Sequence, residues 1–503
     1  MKRRMLHSSV FRVAEAIISA VVMLVVTPMI IKTLGADSYG LWLLLLSGMG
    51  LLSFFEFGFA SAVQRQMAQQ IEQQDNDGLN QLFSSALFLF FLLGLFALVF
   101  LMLFALYPSM LGIKGTYEKT ATLAFLLFIL KLLFDFVANA IHGIFSGHLR
   151  FDLDSKIAIL ALTLKALLVI VVVEPYGILG LVIVTLFVDV SAQLAKFFFA
   201  FLIQPSLRLI WPKHFKQNCH QLFGYAKHVI FIELARLVQD KSSVILISHL
   251  LGLAAISLYA IADRLLKQAI TLIQAITAVL QPYLVRKLVQ GQLDIRLMQS
   301  AMQLHAWLSC IVLVPVMLCG PAFIQLWVGP DFALSQTLLV ILVFAALFSI
   351  LALPITQFLL AKAKHQWIAP LELIAAAFYV LVVLFLGRFY GLSGIVWGSV
   401  VVSFVINTIG YAFLARKELE ISMTFYWLLV IRLWLIFSIT YAVNSYLVLF
   451  TADMNWITLP LWALSSVVFS MVVGFFVLLD SSLRGVIYQR LSDLKANYDL
   501  NKR

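Results

Sequence analysis

Charge is what this sequence has least of. Only 12% of its 503 residues are Asp, Glu, Lys or Arg, against 63% hydrophobic, and the mean hydropathy is +1.02. Soluble domains carry charge on about a quarter of their residues, so an ordinary water-soluble fold is excluded and a polytopic membrane protein is implied. Cysteine is nearly absent: Cys219 lies in a basic loop, and Cys310 and Cys319 fall inside one apolar run, which leaves no disulfide framework. No GxxxxGK[ST] phosphate loop occurs, so the chain alone has no means of hydrolysing nucleotide. No segment between apolar runs is long enough for a soluble domain. The longest are 65–81 and 204–226 on one side and 107–118 on the other.

What is present is a succession of apolar runs of membrane-spanning length, fourteen between residues 10 and 480. The first follows the basic start MKRR, as in a signal peptide, but it is too long and lacks a small-residue cleavage site, so it reads as an uncleaved span. An even number of spans puts both termini on one side. That side carries 22 Lys and Arg, whereas the other carries only Lys32, Lys114, Lys119 and Arg388. By the positive-inside rule both termini are expected in the cytoplasm, with the protein multi-pass. The net charge of +11 is then mostly topological and does not imply nucleic acid.

The two halves repeat weakly. Tyr176-Gly177-Ile178-Leu179-Gly180 is echoed by Tyr390-Gly391-Leu392-Ser393-Gly394, and Leu34-Gly35 is echoed by Leu251-Gly252 at nearly the same offset. The turn at Gly147-His148 aligns in the same way with Lys362-Ala363. Six spans plus six spans follow, the copies having the same orientation, which predicts a pseudo-twofold along the membrane normal with a binding site between the halves. The expected fold class is an all-α polytopic membrane protein. Its expected parts are a six-helix lobe over 1–215, a second over 216–420, a helix pair over 421–480 and a cytoplasmic tail over 481–503.

One stretch breaks the rule of scarce charge. Residues 227–267 hold two runs of spanning length that nevertheless contain Glu233, Arg236, Asp240, Lys241, Asp263, Arg264 and Lys267. A central Arg, Lys or Asp costs at least about 2.5–3.5 kcal/mol on insertion, so such residues face a bundle interior or a wet cavity. At about 100° per residue, Glu233, Arg236 and Asp240 share one narrow helical face. Structural ion pairs, with Lys227 and Lys267 reaching toward headgroups, are the plain alternative. Self-neutralising pairs are replaceable by apolar packing at little loss, so seven charges in two spans point to a cavity for a polar or anionic substrate. In span four, Lys131 and Asp135 stand one turn apart, and with Lys165 and Asp189 they read as a mainly structural network.

The segment TPMIIKTLGADSYGLWLLLLSGMGLLSFFEFGFASAVQRQMA at 27–68 resembles the start of bacterial polysaccharide transporters of the O-antigen flippase type. Their superfamily also holds multidrug/toxin extruders and lipid II flippases. The YGxxG turns and LLGLAAISLYAIADRLL at 250–266 are similar too, although Glu56 stands where an aspartate is usual. The resemblance implies a V-shaped pair of six-helix lobes, with spans one, two, seven and eight lining a cavity. It further implies a place in the bacterial inner membrane and alternating access that moves an undecaprenyl-diphosphate-linked oligosaccharide from the cytoplasmic to the outer leaflet. For that substrate the expected headgroup set is Arg12, Arg236 and Arg264, supported by Lys241 and Lys267, because a guanidinium forms bidentate bonds to phosphate oxygens. Counting a helical rise of about 1.5 Å per residue places Arg236 and Arg264 near mid-membrane, whereas Arg12 lies close to the boundary, in reach of Glu15. Glu56, Glu233, Asp240 and Asp263 are expected either to couple transport to H+ or Na+ or to balance the arginines. No catalytic residue, metal or other cofactor is expected. Expected partners are membrane lipids, a polysaccharide polymerase and other pathway proteins. Three rivals stand beside this reading. A multidrug or cation exporter would favour an acidic cavity, a membrane polymerase or glycosyltransferase would need acidic residues on outer loops where 107–118 offers only Glu118, and a receptor or scaffold would not need the repeat.

Overall fold

The structure, a computed structural model, describes residues 2–56, 58–213, 215–277, 294–362, 364–448, 455–485 and 488–489. Among these there is no β-strand. The helices are α1 (Lys2–Leu52), α2 (Phe59–Glu72), α3 (Asn76–Leu106), α4 (Tyr117–Gly147), α5 (Phe151–Ile203), α6 (Phe215–Leu251) and α7 (Leu253–Thr277). They continue as α8 (Ile295–Val328), α9 (Ala333–Ser349), α10 (Ala352–Ala361), α11 (His365–Val402), α12 (Tyr411–Leu419), α13 (Met423–Val448) and α14 (Thr458–Val477). The side chain of Lys227, the end of the eighth expected span and most of the expected tail lie outside the described residues.

Nine helical stretches among the described residues are long and apolar enough to cross a membrane. Three of them, Ala14–Glu56, Phe151–Ile203 and Gln366–Leu419, run to 43, 53 and 54 residues, about twice what one crossing needs. Each breaks at a glycine with non-helical dihedrals, Gly35, Gly177 and Gly391 respectively. Each is therefore a pair of crossings. With α6 and α7, whose charges hide them from a test of composition, the fourteen expected crossings are accounted for.

The repeat is visible in the backbone. Gly177 has φ 58° and ψ −141°, and Gly391 has φ 60° and ψ −141°. This is a region that only glycine enters without strain. A methyl at Gly177 would lie 4.0 Å from Leu34, and one at Gly391 would lie 3.9 Å from Leu251, the residues the sequence echo pairs. Gly391→Ala is expected to cost about 1–3 kcal/mol and to lower the thermal unfolding midpoint of the purified protein. Gly224→Ala, helical and in open space, is expected to leave that midpoint unchanged or raise it slightly.

The chain divides into two compact units. The first is Met1–Leu258 with Glu372–Val380 and Gly387–Leu392, and the second is Tyr259–Leu371, Leu381–Leu386 and Ser393–Arg503. In the first, α1 packs on α5, α4 lies between α3 and α5, and α2 packs on α4. Residues 65–81, expected as a loop, are mostly helical. The turn at Ser53–Glu56 ends α1, and α2 then lays Val63 and Met67 on Gly143 of α4 and Ala68 and Ile71 on Gly147, whose lack of side chains admits them. Gly58 (φ 78°) is at the break. Gly48 packs against Phe125, and Gly50 against the aliphatic stem of Lys241. In the second unit, α9, α13 and α14 pack on α8. Trp307 of α8 donates to the Met471 carbonyl (2.9 Å), and Gln303 donates to Asp480 (2.6 Å), fastening the last helix.

Candidate functional site

The charged pair of helices starts from a tight fit. α6 ends at Gly252, whose left-handed backbone lets its N–H reach the Ile247 and Ser248 carbonyls, each at 3.2 Å. α7 begins at once, and its first turn meets α1 just past Gly35, where Ser257 donates to the Ala36 carbonyl at 2.5 Å. There is no room for a side chain at Gly40, because a methyl would sit 1.9 Å from the Leu253 carbonyl oxygen. Gly40→Ala is accordingly expected to cut the amount of folded protein severalfold, measured as membrane-extracted monodisperse protein, since neither backbone can yield.

On α6 the charged face is open. Ala235 and Leu237 are buried, whereas the side chain of Arg236 is 52% exposed, Asp240 39% and Glu233 34%. Arg236 reaches Glu233 one turn earlier at only 3.6 Å, too long for a hydrogen bond. Asp240 pairs with its neighbour Lys241 at 2.7 Å, and the Lys241 stem lies along Gly50, which brings it to α1. Two turns beyond Arg236, Ser243 and Tyr379 share a buried hydrogen bond of 2.6 Å. On α7, Asp263 pairs with Lys267 at 2.8 Å and Arg264 is half-buried. Six of the seven charges thus pair along their own helices, Glu233 with Arg236, Asp240 with Lys241 and Asp263 with Lys267, and in the stretch as a whole there are four cations and three carboxylates.

Arg12 and Glu56 lie elsewhere. The Arg12 guanidinium stacks over the Phe151 ring, 4.1 Å from its centre, at the start of α5. This cation–π contact anchors the end of the first crossing. Glu56, in the turn after α1, accepts a hydrogen bond from the Asn139 amide of α4.

Asn139 leads into the network expected of Lys131, Asp135, Lys165 and Asp189, to which the structure adds Glu56 and the amides of Asn139 and Gln193. Lys131 pairs with Asp135 at 2.5 Å and with Asp189 at 3.2 Å, and Lys165 pairs with Asp189 at 2.5 Å. Gln193 donates to Asp135 at 3.4 Å, and Asn139 also reaches the Asp135 carbonyl. The spacing carries a signal that could have found them: 131, 135 and 139 on α4, and 189 and 193 on α5, recur once per turn. Within this cluster two lysines meet three carboxylates, Glu56, Asp135 and Asp189. The repeat keeps its geometry and drops its charge, because Asn407 donates to Ser349 at 2.8 Å, and the offset that joins Tyr176 to Tyr390 also joins Gln193 to Asn407 and Asp135 to Ser349. A single lobe therefore holds the ionic version.

Fourteen crossings, six of them joined in pairs at a glycine kink, with charge carried inside α6 and α7, define an all-α polytopic membrane fold. The polysaccharide biosynthesis protein family matches residues 7–287, and the chain belongs to that family. Among solved structures it is similar to the lipid II flippase MurJ in an inward closed conformation, with a TM-score of 0.71 and 14% identity over 96% of this chain and 99% of that one. It is also similar to an inward-facing multidrug resistance MATE family transporter of the MOP superfamily, with a TM-score of 0.62 and 16% identity over 82% of this chain and 99% of that one. A MOP superfamily transporter from Pyrococcus furiosus, described as having reversed pocket polarity, has a TM-score of 0.54 and 16% identity over 82% of this chain and 96% of that one. No curated protein matches the sequence.

Proposed function

We propose that the chain is a flippase that carries an undecaprenyl-diphosphate-linked oligosaccharide from the cytoplasmic to the outer leaflet by alternating access, for O-antigen or another surface polysaccharide. The observation that carries the reading is the open charged face of α6: Arg236 stays half exposed within a helix of membrane-spanning length, although Glu233 is one turn away. A guanidinium placed only for stability would be closed onto its carboxylate, whereas one awaiting a phosphate keeps its fork available. Arg264, Lys241 and Lys267 are the further cations we assign to the headgroup, and Glu233, Asp240 and Asp263 the carboxylates we assign to charge balance. Arg12 has the weaker claim on the headgroup, being stacked on Phe151.

Glu56 is the carboxylate we assign to coupling by H+ or Na+. Its hydrogen-bond partner is a neutral amide, Asn139, whereas Asp135 and Asp189 are held by lysines. An exporter of cationic compounds is the second reading, favoured by the carboxylate surplus of that same cluster. A polymerase is the partner expected downstream. Membrane orientation is tested by reporter fusions. Those after Arg65 and Lys216 are expected to report the cytoplasm and one after Lys114 the opposite side, while a cytoplasmic signal from the Lys114 fusion would contradict the orientation.

A further inference from the structure

Between α5 and α6 the chain lies back along α3. Asn76 accepts from the Gln204 amide (3.0 Å) and the Ser206 hydroxyl (2.6 Å). Asn80 donates to the Ser206 carbonyl (3.1 Å) and accepts the Arg208 N–H (2.8 Å), and Ser84 accepts the Ile210 N–H (3.0 Å). Positions 76, 80 and 84 form a rail of one polar side chain per helical turn. Two residues of extended chain advance about 6.6 Å and four residues of helix about 6.0 Å, so the two backbones keep step. The rail stops at Ser84, where the apolar run of α3 begins.

This ledge makes one wall of an apolar groove of about 380 Å³ within the first unit. Leu87, Phe88 and Phe91 of α3, Val137 of α4 and Phe197 of α5 face Ile210 and its neighbours across it. The groove's one polar lining residue, Ser84, is already engaged by Ile210. Along the ledge Leu207 is buried, but Leu209 and Trp211 point outward, Trp211 with 81% of its surface uncovered. Arg208, Lys213 and Lys216 are exposed beside them, and no Asp or Glu occurs between Asp189 and Glu233. Asp75 at the far end of the rail is occupied in capping α3 through the Gly78 N–H.

We propose that this groove holds one anionic phospholipid, an acyl chain lying in the slot and the headgroup phosphate against Arg208 and Lys213. An apolar slot at the start of a membrane-crossing run, an outward tryptophan and basic residues without carboxylates are complementary to the tail, the interface and the phosphate of such a lipid in turn. None of these residues belongs to the charged face of α6 and α7, so the site stands whatever that face transports.

The test is native mass spectrometry of the full chain released from micelles containing equal amounts of a phosphatidylglycerol and a phosphatidylcholine with the same acyl chains. One retained lipid per chain is expected, with the phosphatidylglycerol preferred roughly thirty-fold for two interfacial cations. Arg208→Gln with Lys213→Gln, both on exposed positions, is expected to bring that ratio near one. Leu209→Gln is expected to lower retention of both lipids severalfold with the ratio kept. Equal retention by the unaltered chain, an unchanged ratio in the double variant, or undiminished retention in Leu209→Gln would each overturn the proposal.

Discussion

Arg236→Ala is expected to lower surface polysaccharide thirty-fold or more while the protein stays in the membrane at near-normal amount. Removing one partner of a desolvated, hydrogen-bonded charge pair costs about 2–5 kcal/mol, and here the lost partner is the phosphate of the cargo. The packing of α6 barely changes, because the Arg236 side chain is half exposed. Arg236→Lys is expected to retain part of the activity, since an ammonium keeps the attraction and loses the fork. The contrary outcome is specific. If Arg236 serves only to neutralise Glu233, then Arg236→Ala lowers abundance, and Arg236→Ala with Glu233→Ala restores both abundance and export, because the double change strands no charge. Measuring protein level and surface glycan on the same cells separates these cases.

The second large effect belongs to the ion cluster of the first unit, whose members are expected to divide into two kinds. Asp189 bridges Lys131 and Lys165, so Asp189→Ala strands Lys165 among apolar helices and leaves Lys131 with Asp135 alone. Leaving a buried charge unpaired costs about 3–5 kcal/mol, and most of the folded protein is expected to disappear. Replacing Lys165 by Met in the same chain is expected to recover part of it. Glu56→Gln is expected to do the opposite. The amide keeps a hydrogen-bonding group opposite Asn139, so abundance is maintained, but the group can no longer take up or release a proton or bind Na+, and transport slows at least tenfold. A Glu56→Gln protein that transports at the normal rate removes Glu56 from coupling.

Much of the fold was legible because a bilayer imposes a simple arithmetic of length and charge. The crossings, the repeat at Tyr176-Gly177 and Tyr390-Gly391, and the odd helices α6 and α7 all follow from it. The parts that escaped are those in which polar groups carry no charge or the partner is far away in sequence. Asn139 and Gln193 are neutral amides, and only their spacing from Asp135 and Asp189 ties them to the cluster. The rail at Asn76, Asn80 and Ser84 joins distant parts of the sequence, through backbone groups that any sequence supplies. α2 looked like a loop because its glutamines dominate its composition, while the stripe that meets the glycines of α4, Val63, Met67, Ala68 and Ile71, is narrow. The charged face of α6 was legible as a stripe, but its openness was not, since the wheel places Arg236 beside Glu233 without saying how far apart they stand.

Transport of a defined lipid by the purified chain tests the central claim most directly. The protein is reconstituted into vesicles containing a polyprenyl-diphosphate-linked oligosaccharide, and the glycan on the outer surface is followed with a membrane-impermeant lectin or glycosidase. The expected result is a fraction accessible from outside that changes with time only when the chain is present, and not with Arg236→Ala. No chain-dependent change in the accessible glycan, together with chain-dependent movement of a cationic dye under an imposed proton or sodium gradient, would contradict the flippase and make the chain a cation exporter.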